Sequence, residues 1–287
     1  MKIDQNDCKN FYTSFSGADI YVDYCNKRLK ILSRSLLSEL LIKEIIEYAK
    51  QRNLGKIIAN CQKKDLSIFE ECGFVAEGII DGFFRGEDAI CMSLFLDKKR
   101  ESSLYEEKEN RIIDYCVKNT NKFELNKNKN YIMRQAVPDD IPQMIQLFQT
   151  IFETYPTPIF SREYLLEVMQ DHVLFMVAEE EGKIISIASA DLDKQNMSAE
   201  ITDCATYPKY RGRNILSELI FQLETYLKRN GFVTAYSLSR AKNLGINRSL
   251  SKLGYIYRGR LINNCNISGG YEDMNIWVKI FKNDEVY

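Results

Sequence analysis

The sequence has few of the residues on which metal, disulfide or membrane architectures depend. One histidine, His172, occurs among 287 residues, which excludes a histidine-rich metal site. The eight cysteines show no C-x-x-C spacing, which predicts reduced thiols and a cytoplasmic protein. The N-terminus MKIDQNDCKN lacks the apolar core of a signal peptide, and no apolar run approaches the roughly 20 residues that cross a bilayer. We therefore expect no resident metal and no membrane partner.

The chain also lacks an excess of charge of either sign. Its 39 basic and 40 acidic side chains give a net charge of -1. Nothing in this balance favours nucleic acid or an anionic surface, so we expect no nucleic-acid partner. A site for a cationic ligand would have to be built from a few local carboxylates. The sequence leaves open whether the protein is a monomer or a homodimer.

A polar segment divides the chain. Residues 97–130 are first charged and then rich in Asn and Lys, and only residues 104–117 carry enough apolar side chains for a helix. We therefore predict a partial first domain at 1–97, a helical and charged linker at 98–130, and a larger second domain at 131–287.

Hydrophobic periodicity predicts alternating strands and helices on both sides of the linker. Before it, we predict a strand and its turn at 20–32, strands at 56–61, 74–80 and 89–96, and helices at 36–52 and 66–72. After it, we predict helices at 139–152, 161–169, 215–229 and 244–253, with strands at 131–136, 173–180, 183–191, 198–206, 234–239, 255–261 and 273–281. The expected class is α/β (α+β), with a mixed, mostly antiparallel sheet flanked by helices.

The two sides of the linker resemble each other. FEECGFVAEGII followed by GEDAICMSLFL is matched, roughly 180 residues later, by LSKLGYIYRGRL followed by YEDMNIWVKIF. This pattern predicts a duplication. The alternative is two unrelated endings of the common helix, glycine, strand type.

The most informative stretch is AEITDCATYPKYRGRNILSELI, residues 199–220, which reads as a strand, a polar turn and an amphipathic helix. A helix N-terminus presents unpaired N–H donors and the positive end of a dipole to an anion. The stretch resembles motif A of the GNAT acetyltransferases, whose turn R/Q-x-x-G-x-G/A binds the diphosphate of CoA. Asn214 and Leu216 depart from that pattern, and Leu216 could crowd the ligand.

The resemblance implies acetyl-CoA as the co-substrate and no metal. It assigns the thioester to the backbone of the strand end, the diphosphate to the turn and helix start, and further contacts to the helix at 244–253. The implied cofactor-binding residues are Cys204, Ala205, Thr206, Arg211, Gly212, Arg213, Asn214, Ile215, Leu216, Asn243 and Asn247.

Transfer to an amine needs a base, because a lysine-like ammonium with a pKa of about 10.4 is almost wholly protonated at neutral pH. Glu200 and Asp203 are the candidates for base or ammonium anchor, and a solvated strand carboxylate is the alternative for each. Residues three apart on a strand face opposite sides unless a bulge intervenes. Tyr255 is a candidate donor to the departing thiolate, or else a core aromatic. Cys204 has no histidine near it in sequence, which disfavours a covalent acetyl-enzyme.

Five phrases across the chain resemble the β-lysine N-acetyltransferases: GFFRGEDAICM (82–92), YPTPI (155–159), AEITDCAT (199–206), YSLSRA (236–241) and GRLINNCNISGGYEDMNIW (259–277). The resemblance implies acetylation of the ε-amine of β-lysine to a neutral compatible solute. Such an acceptor needs a second acid and an anion-binding group. The candidate substrate-binding residues are Tyr155, Asp191, Arg240, Asn263, Asn264, Asn266 and Glu272.

Several alternatives stay open at this level. The run 263–266 is also typical of a turn, since asparagine satisfies turn geometry by itself, and Tyr155 could serve only in packing. The acceptor could be a polyamine, an aminoglycoside or a protein lysine. The domain could also be a silent CoA-binding module, although such a module would not need paired carboxylates beside the turn.

Overall fold

A computed structural model describes residues 10–32, 37–119, 123–126, 129–267 and 269–281. Residue 36, where the sequence predicts the first helix to begin, lies outside these ranges. The strands are β1 (Phe11–Phe15), β2 (Ala18–Asp23), β3 (Arg28–Ile31), β4 (Lys56–Cys61), β5 (Val75–Phe84), β6 (Glu87–Phe95), β7 (Ile132–Gln135), β8 (Val173–Glu180), β9 (Lys183–Asp193), β10 (Ser198–Thr206), β11 (Thr234–Arg240), β12 (Ile256–Ile267) and β13 (Gly270–Ile280). The helices are α1 (Glu39–Gln51), α2 (Leu66–Glu71), α3 (Glu106–Lys118), α4 (Ile141–Ile151), α5 (Arg162–Asp171), α6 (Ile215–Arg229) and α7 (Leu244–Lys252).

All the described strands belong to one sheet, in the order β1-β2-β3-β4-β6-β5-β12-β13-β11-β10-β9-β8-β7. Neighbours pair antiparallel except β3 with β4 and β10 with β11. The predicted class, a mixed and mostly antiparallel sheet flanked by helices, is confirmed.

The strand order repeats about the centre of this sheet. The series β2, β3, α1, β4, α2, β5, β6 has the same connectivity and pairing as β9, β10, α6, β11, α7, β12, β13. The two series meet where β5 pairs with β12. The boundaries at 97 and 130 stay a prediction. Helix α3 falls between them and packs on α7, where Ser251 Oγ donates to the Cys116 carbonyl at 2.7 Å.

The junction between the halves is a crossing of two glycines. Gly78 of β5 lies directly opposite Gly259 of β12. A Cβ on Gly259 would approach the Glu77 carbonyl oxygen at 2.3 Å, and one on Gly78 would approach the Arg258 carbonyl oxygen at 2.7 Å. Because both contacts are to backbone atoms, only glycine permits the two halves to come this close.

Helices cover both faces of the second half. On one face, α6 and α7 pack over Ala199 and Ile201 of β10, while α4 and α5 pack with Ile187 of β9 on the other. In the first half, α1 packs over Leu29 and Ile31 of β3. Alternation along β10 therefore places Glu200 on the face away from α6.

The structure corrects two local expectations. β1 was not expected, and it pairs with β2 at the edge of the sheet. Residues 263–266 are not a turn but part of β12, which runs on to Ile267. The left-handed φ of 45° at Asn263 marks an irregularity inside this strand, where its register to β13 shifts. The propensity of asparagine for such angles is thus used within a strand.

Candidate active site

The turn before α6 leaves the first amides of that helix open. Gly212 and Asn214 adopt left-handed φ angles of 79° and 61°. The first helical hydrogen bond runs from Glu218 N to the Asn214 carbonyl at 3.0 Å. Within the described chain, the Asn214 side chain caps none of the amides at 215–217, and its Oδ1 accepts instead from Lys252 Nζ at 3.2 Å. Three N–H groups at the positive end of the dipole are therefore available to an anion.

Basic side chains flank these amides. Arg211 and Arg213 are exposed, and Arg211 Nε donates to the Thr206 carbonyl at 3.2 Å. The Arg213 guanidinium lies 5.2 Å from the centre of the Tyr210 ring. Leu216, which could crowd a ligand, is half-buried and packs against the core beneath α6. The predicted diphosphate site is thus built from amides and two cations.

The equivalent helix of the first half is capped. The Ser38 hydroxyl accepts a hydrogen bond from Leu41 N at 3.2 Å, which satisfies one of the free amides at the start of α1. The N-terminus of α6 has no such side-chain cap. Of these two equivalent helices, α6 is the one prepared for an external anion.

β10 separates from its neighbour just before this turn. Its register with β11 ends at the pair Glu200 and Tyr236. Its register with β9 shifts between Thr202 and Ala205, and Asp203 in this bulge has a left-handed φ of 47°. After Glu200, the edge of β10 that faces β11 therefore has no paired strand among the described residues. The backbone of Cys204, Ala205 and Thr206 lies along this edge, where the sequence predicts the thioester.

The bulge brings the two candidate carboxylates to one face. Thr202 lies opposite Ser189 in the register, on the face that also carries Glu200. Ser189 Oγ donates to Asp203 Oδ2 at 2.8 Å, so Asp203 is turned toward this face as well. A regular strand would have placed Asp203 on the opposite side. Asp191 of β9 pairs directly with Glu200 and completes an acidic group of three.

Burial shifts the protonation of these acids. It raises the pKa of Glu200 to about 7, with Lys30 opposing the rise and the charges of Asp191 and Asp203 adding to it. Burial likewise raises the pKa of Asp203 to about 6, against hydrogen bonds from Ser189 and Tyr155. Glu200 can thus change its protonation near neutral pH, as a general base must.

Tyrosines form the wall around the acids. The Tyr155 hydroxyl hydrogen-bonds to Thr202 and Asp203, and burial holds its pKa well above the usual value. Burial also raises the pKa of Tyr164 and Tyr236, whose phenols stay neutral. All three side chains keep part of their surface accessible. Neutral rings beside carboxylates form a suitable environment for an ammonium group.

Lys30, in the first half of the chain, acts electrostatically on this site, and the sequence analysis did not identify it. Lys30 of β3 is half-buried, with its Nζ 5.7 Å from the centre of the Tyr21 ring. Its charge lowers the pKa of Glu200, and the charge of Glu200 acts on it in return. Alignment of the two repeats offers the signal that could have found it, because D-x-x-N-x-x-x-K at 23–30 corresponds to D-x-x-N-x-x-x-E at 193–200.

Tyr255, a predicted proton donor to the thiolate, lies in the core instead. It is 4% exposed and packs beneath α6. Burial and the neighbouring Glu224 hold the pKa of its phenol well above the usual value. The geometry therefore favours the alternative of a core aromatic.

Asn247, predicted to bind the cofactor, is fully buried and has no hydrogen-bonding capacity to spare. Its Oδ1 accepts from Ser239, Asn275 and Trp277 at 3.0, 2.9 and 2.8 Å. Its Nδ2 donates to the backbone carbonyls of Arg240 and Asn243 at 2.9 and 2.7 Å. This side chain ties α7 to β11 and β13. The Asn243 side chain caps α7 by accepting from Gly245 N at 3.0 Å.

Most of the predicted polar substrate contacts serve the scaffold. Arg240 and Glu272 form a bidentate ion pair at 2.8 and 2.7 Å. Asn263 is buried against the linker, where its Nδ2 donates to the Arg100 and Ser102 carbonyls at 3.1 and 2.9 Å. These contacts engage the pair and the amide within the fold, and their role in substrate binding stays a prediction.

The remaining two asparagines join the halves. Asn264 is fully buried, and its carbonyl accepts from Arg28 Nη1 at 2.9 Å. Asn266 N donates to Asn26 Oδ1 at 2.7 Å. They hold the tip of β12 against the turn between β2 and β3.

Cys204 is a poor nucleophile in this environment. Its Sγ lies 3.4 Å from the Thr202 carbonyl, and burial raises the pKa of the thiol. The protonated thiol disfavours an acetyl-enzyme, since the thiolate is the reactive form.

Comparisons with known proteins agree with this geometry. The sequence profile of the acetyltransferase (GNAT) family matches residues 141–255, which run from α4 to the end of α7. The chain is 40% identical over 253 residues to the β-lysine N(6)-acetyltransferase of Methanosarcina mazei, covering 81% of this chain and 93% of that protein. The chain belongs to the GNAT family of acetyltransferases. It is an N-acetyltransferase with the fold of that family.

Two further relatives extend across both halves of the chain. N-acetyltransferase YodP of Bacillus subtilis is 34% identical over 266 residues, which cover 92% of this chain and 97% of that protein. The β-lysine N(6)-acetyltransferase of Methanococcus maripaludis is 29% identical over 262 residues, covering 91% and 95%. The similarity therefore includes the first half as well as the GNAT region. Among the described helices, none is long and apolar enough to cross a membrane.

Proposed function

We propose that this acetyltransferase transfers the acetyl group of acetyl-CoA to the ε-amine of β-lysine. The observation that carries the proposal is the position of Glu200, a carboxylate with a pKa of about 7, beside the strand end that leads into the uncapped N-terminus of α6. The names of two relatives, each covering more than four fifths of the chain, support β-lysine as the acceptor.

The residues of the turn fit the donor. The open amides at 215–217 bind the diphosphate of CoA, and Arg211 and Arg213 add positive charge beside it. The unpaired edge of β10 at 204–206 directs backbone N–H groups to the thioester carbonyl, where negative charge develops during attack.

Glu200 prepares the acceptor. Removing the proton from an ammonium of pKa about 10.4 at pH 7 costs roughly 4 to 5 kcal/mol, so a nearby base lowers the barrier. Glu200 takes this proton, the amine nitrogen bonds to the acetyl carbon, the carbon–sulfur bond breaks, and the nitrogen loses its second proton to solvent. The thiolate that leaves is protonated from solvent, and Glu200 returns its proton to solvent. Asp203, held by Ser189 and Tyr155, keeps its negative charge near the ammonium.

The domain arrangement has a role in this proposal. Residues 131–287 carry the base and the CoA site, and residues 1–97 close the acceptor side. The product, N-acetyl-β-lysine, has no net charge, which suits accumulation as a compatible solute.

An amine panel tests the proposal. The protein is incubated with acetyl-CoA and β-lysine, lysine, spermidine, an aminoglycoside or a lysine peptide, and thiol release is followed. We expect turnover on β-lysine with a kcat/KM at least about tenfold above that for lysine, since misplacing a charged group costs more than 1 kcal/mol. Preference for a polyamine or a peptide would overturn the assignment of β-lysine. Absence of thiol release with every amine would overturn the catalytic assignment.

A further inference from the structure

Lys30 occupies in the first half the position that Glu200 occupies in the second. Glu200 pairs with Asp191 on one side and Tyr236 on the other, while Lys30 pairs with Tyr21 and with residue 58 in the equivalent strands. Glu200 lies between two residues packed under α6, and Lys30 lies between Leu29 and Ile31, which pack under α1. Both side chains therefore point away from their helix.

The turns that precede these two positions are built alike. Asn26 N donates to Asp23 Oδ1 at 3.1 Å, and in the same way Asn196 N donates to Asp193 Oδ1 at 2.9 Å. Lys27 and Met197, which follow these asparagines, have left-handed φ angles of 44° and 53°. The shared turn fixes the register of β3 and β10, so the equivalence of Lys30 and Glu200 is structural as well as sequential.

Each half reaches over the other and brings these two positions together. The turn between β5 and β6 contacts the second half, where Arg85 N donates to the Asn196 carbonyl at 2.9 Å. The tip of β12 contacts the first half in the same way, through Asn266 and Asn26. The same turn after β12 contacts the segment before Tyr155, where Gly269 N donates to Thr154 Oγ1 at 3.3 Å. It therefore joins the turn before Lys30 to the wall of the acidic group, and Lys30 acts electrostatically on Glu200 and Asp191.

Lys30 is an uncommitted cation in this space. Within the described ranges its ammonium forms no ion pair, although the charges of Asp23 and Glu200 act on it. Arg28, the other cation that acts on Glu200, is already used, since it donates to Asp23 at 2.8 Å and to the Asn264 carbonyl. Burial and the charge of Arg28 lower the pKa of Lys30, so an anionic ligand beside it would favour its charged form.

We propose that Lys30 binds the carboxylate of an amino-acid acceptor, so that the two halves share one acceptor site with the base on one side and the anion-binding group on the other. This inference rests on the proposed function and adds the residue that distinguishes an amino acid from a simple diamine. β-Lysine carries its carboxylate and its terminal amine at opposite ends, so one molecule offers a group to each of Lys30 and Glu200. Lys30, which occupies in the first half the position of the base Glu200, thus selects the substrate.

The test compares two acceptors that differ only in the carboxylate. β-Lysine and pentane-1,4-diamine, its decarboxylated analogue, are assayed with wild type, Lys30→Met and Lys30→Arg at about pH 8.5, where a carboxyl of pKa near 7 is ionised. The exposed Lys64→Met serves as the control for loss of a lysine. We expect Lys30→Met to raise the KM for β-lysine about 10- to 100-fold with little change in kcat, and to leave the KM for the diamine unchanged. Lys30→Arg should retain most of the affinity for β-lysine.

Other outcomes overturn the inference. Equal loss with both acceptors would assign Lys30 to the scaffold, and no change with either would remove it from the site. If Lys30→Met does not fold, the wild type is assayed instead with 3,6-diaminohexanamide, the neutral amide of β-lysine. If the neutral amide then equals β-lysine in KM, the carboxylate is not bound. Failure of the proposed function has a different signature, since the wild type itself would then acetylate neither β-lysine nor the diamine, which overturns both assignments.

Discussion

Replacing Glu200 by glutamine separates the catalytic role of this carboxylate from its effect on stability. The substitution keeps the size and hydrogen-bonding ability of the side chain and removes its charge. As the base, Glu200 should contribute about 10²- to 10⁴-fold to the rate, which is the range of general acid–base catalysis. The profile of kcat/KM against pH should have an acidic limb with an apparent pKa near 7 in the wild type, and Glu200→Gln should lack that limb.

The same substitution should stabilise the fold at alkaline pH. Burial raises the pKa of Glu200 from 4.5 in an unfolded chain to about 7 in the folded protein. The folded state therefore binds this proton more tightly, and the contribution of Glu200 to stability is lost as pH rises from 4.5 to 7. At about 1.4 kcal/mol for each pKa unit, the ionised carboxylate destabilises the fold by up to about 3 kcal/mol above pH 7.

Urea unfolding of wild type and Glu200→Gln at two pH values measures this effect. We expect the variant to be more stable by up to about 3 kcal/mol at pH 8.5 and by roughly half of that at pH 5.5. The exposed Glu70→Gln is the matched control and should show neither change. A Glu200→Gln protein with wild-type turnover, or with the same gain in stability at both pH values, would refute the reasoning.

Three further substitutions test the turn and the core. Asn214→Ala should lose about 1 kcal/mol of unfolding free energy because position 214 has a left-handed φ, whereas Asn214→Gly should not. Urea unfolding measures both variants, and equal losses would contradict this explanation. The double change Arg211→Ala and Arg213→Ala should raise the Kd for CoA, measured by calorimetry, about tenfold at low salt and less at high salt. An effect independent of salt would argue against a charge interaction. Tyr255→Phe should keep kcat far from the roughly 100-fold loss expected for a catalytic acid, and such a loss would return Tyr255 to the active site.

Sequence patterns predicted the elements around the donor site closely. The expected bounds of β10 and α6 match the structure, because a strand pattern with apolar residues is followed by a polar turn and an amphipathic helix. Asparagine at position 214 also has a physical reason, since the turn requires a left-handed residue there. That this turn binds CoA stays a prediction.

The acceptor side could not be predicted in the same way. The bulge at Asp203 depends on how β9 and β10 pair, which no local pattern records. Asn247 and Asn263 look equally polar in the sequence, but both are used inside the fold because long-range backbone groups need partners there. Lys30 lies about 170 residues from Glu200 in the sequence, and six strands stand between β3 and β10 in the sheet, so no local pattern relates the two residues.

The central claim is that the terminal amine of β-lysine is acetylated at Glu200. Its most direct test is an incubation of the wild-type protein with β-lysine and acetyl-CoA labelled with ¹³C in the acetyl group, followed by NMR of the product. We expect a single labelled product, acetylated on the ε-nitrogen of β-lysine, that accumulates with wild type and not with Glu200→Gln. An acetyl group on the β-nitrogen, or equal product from both proteins, would contradict it.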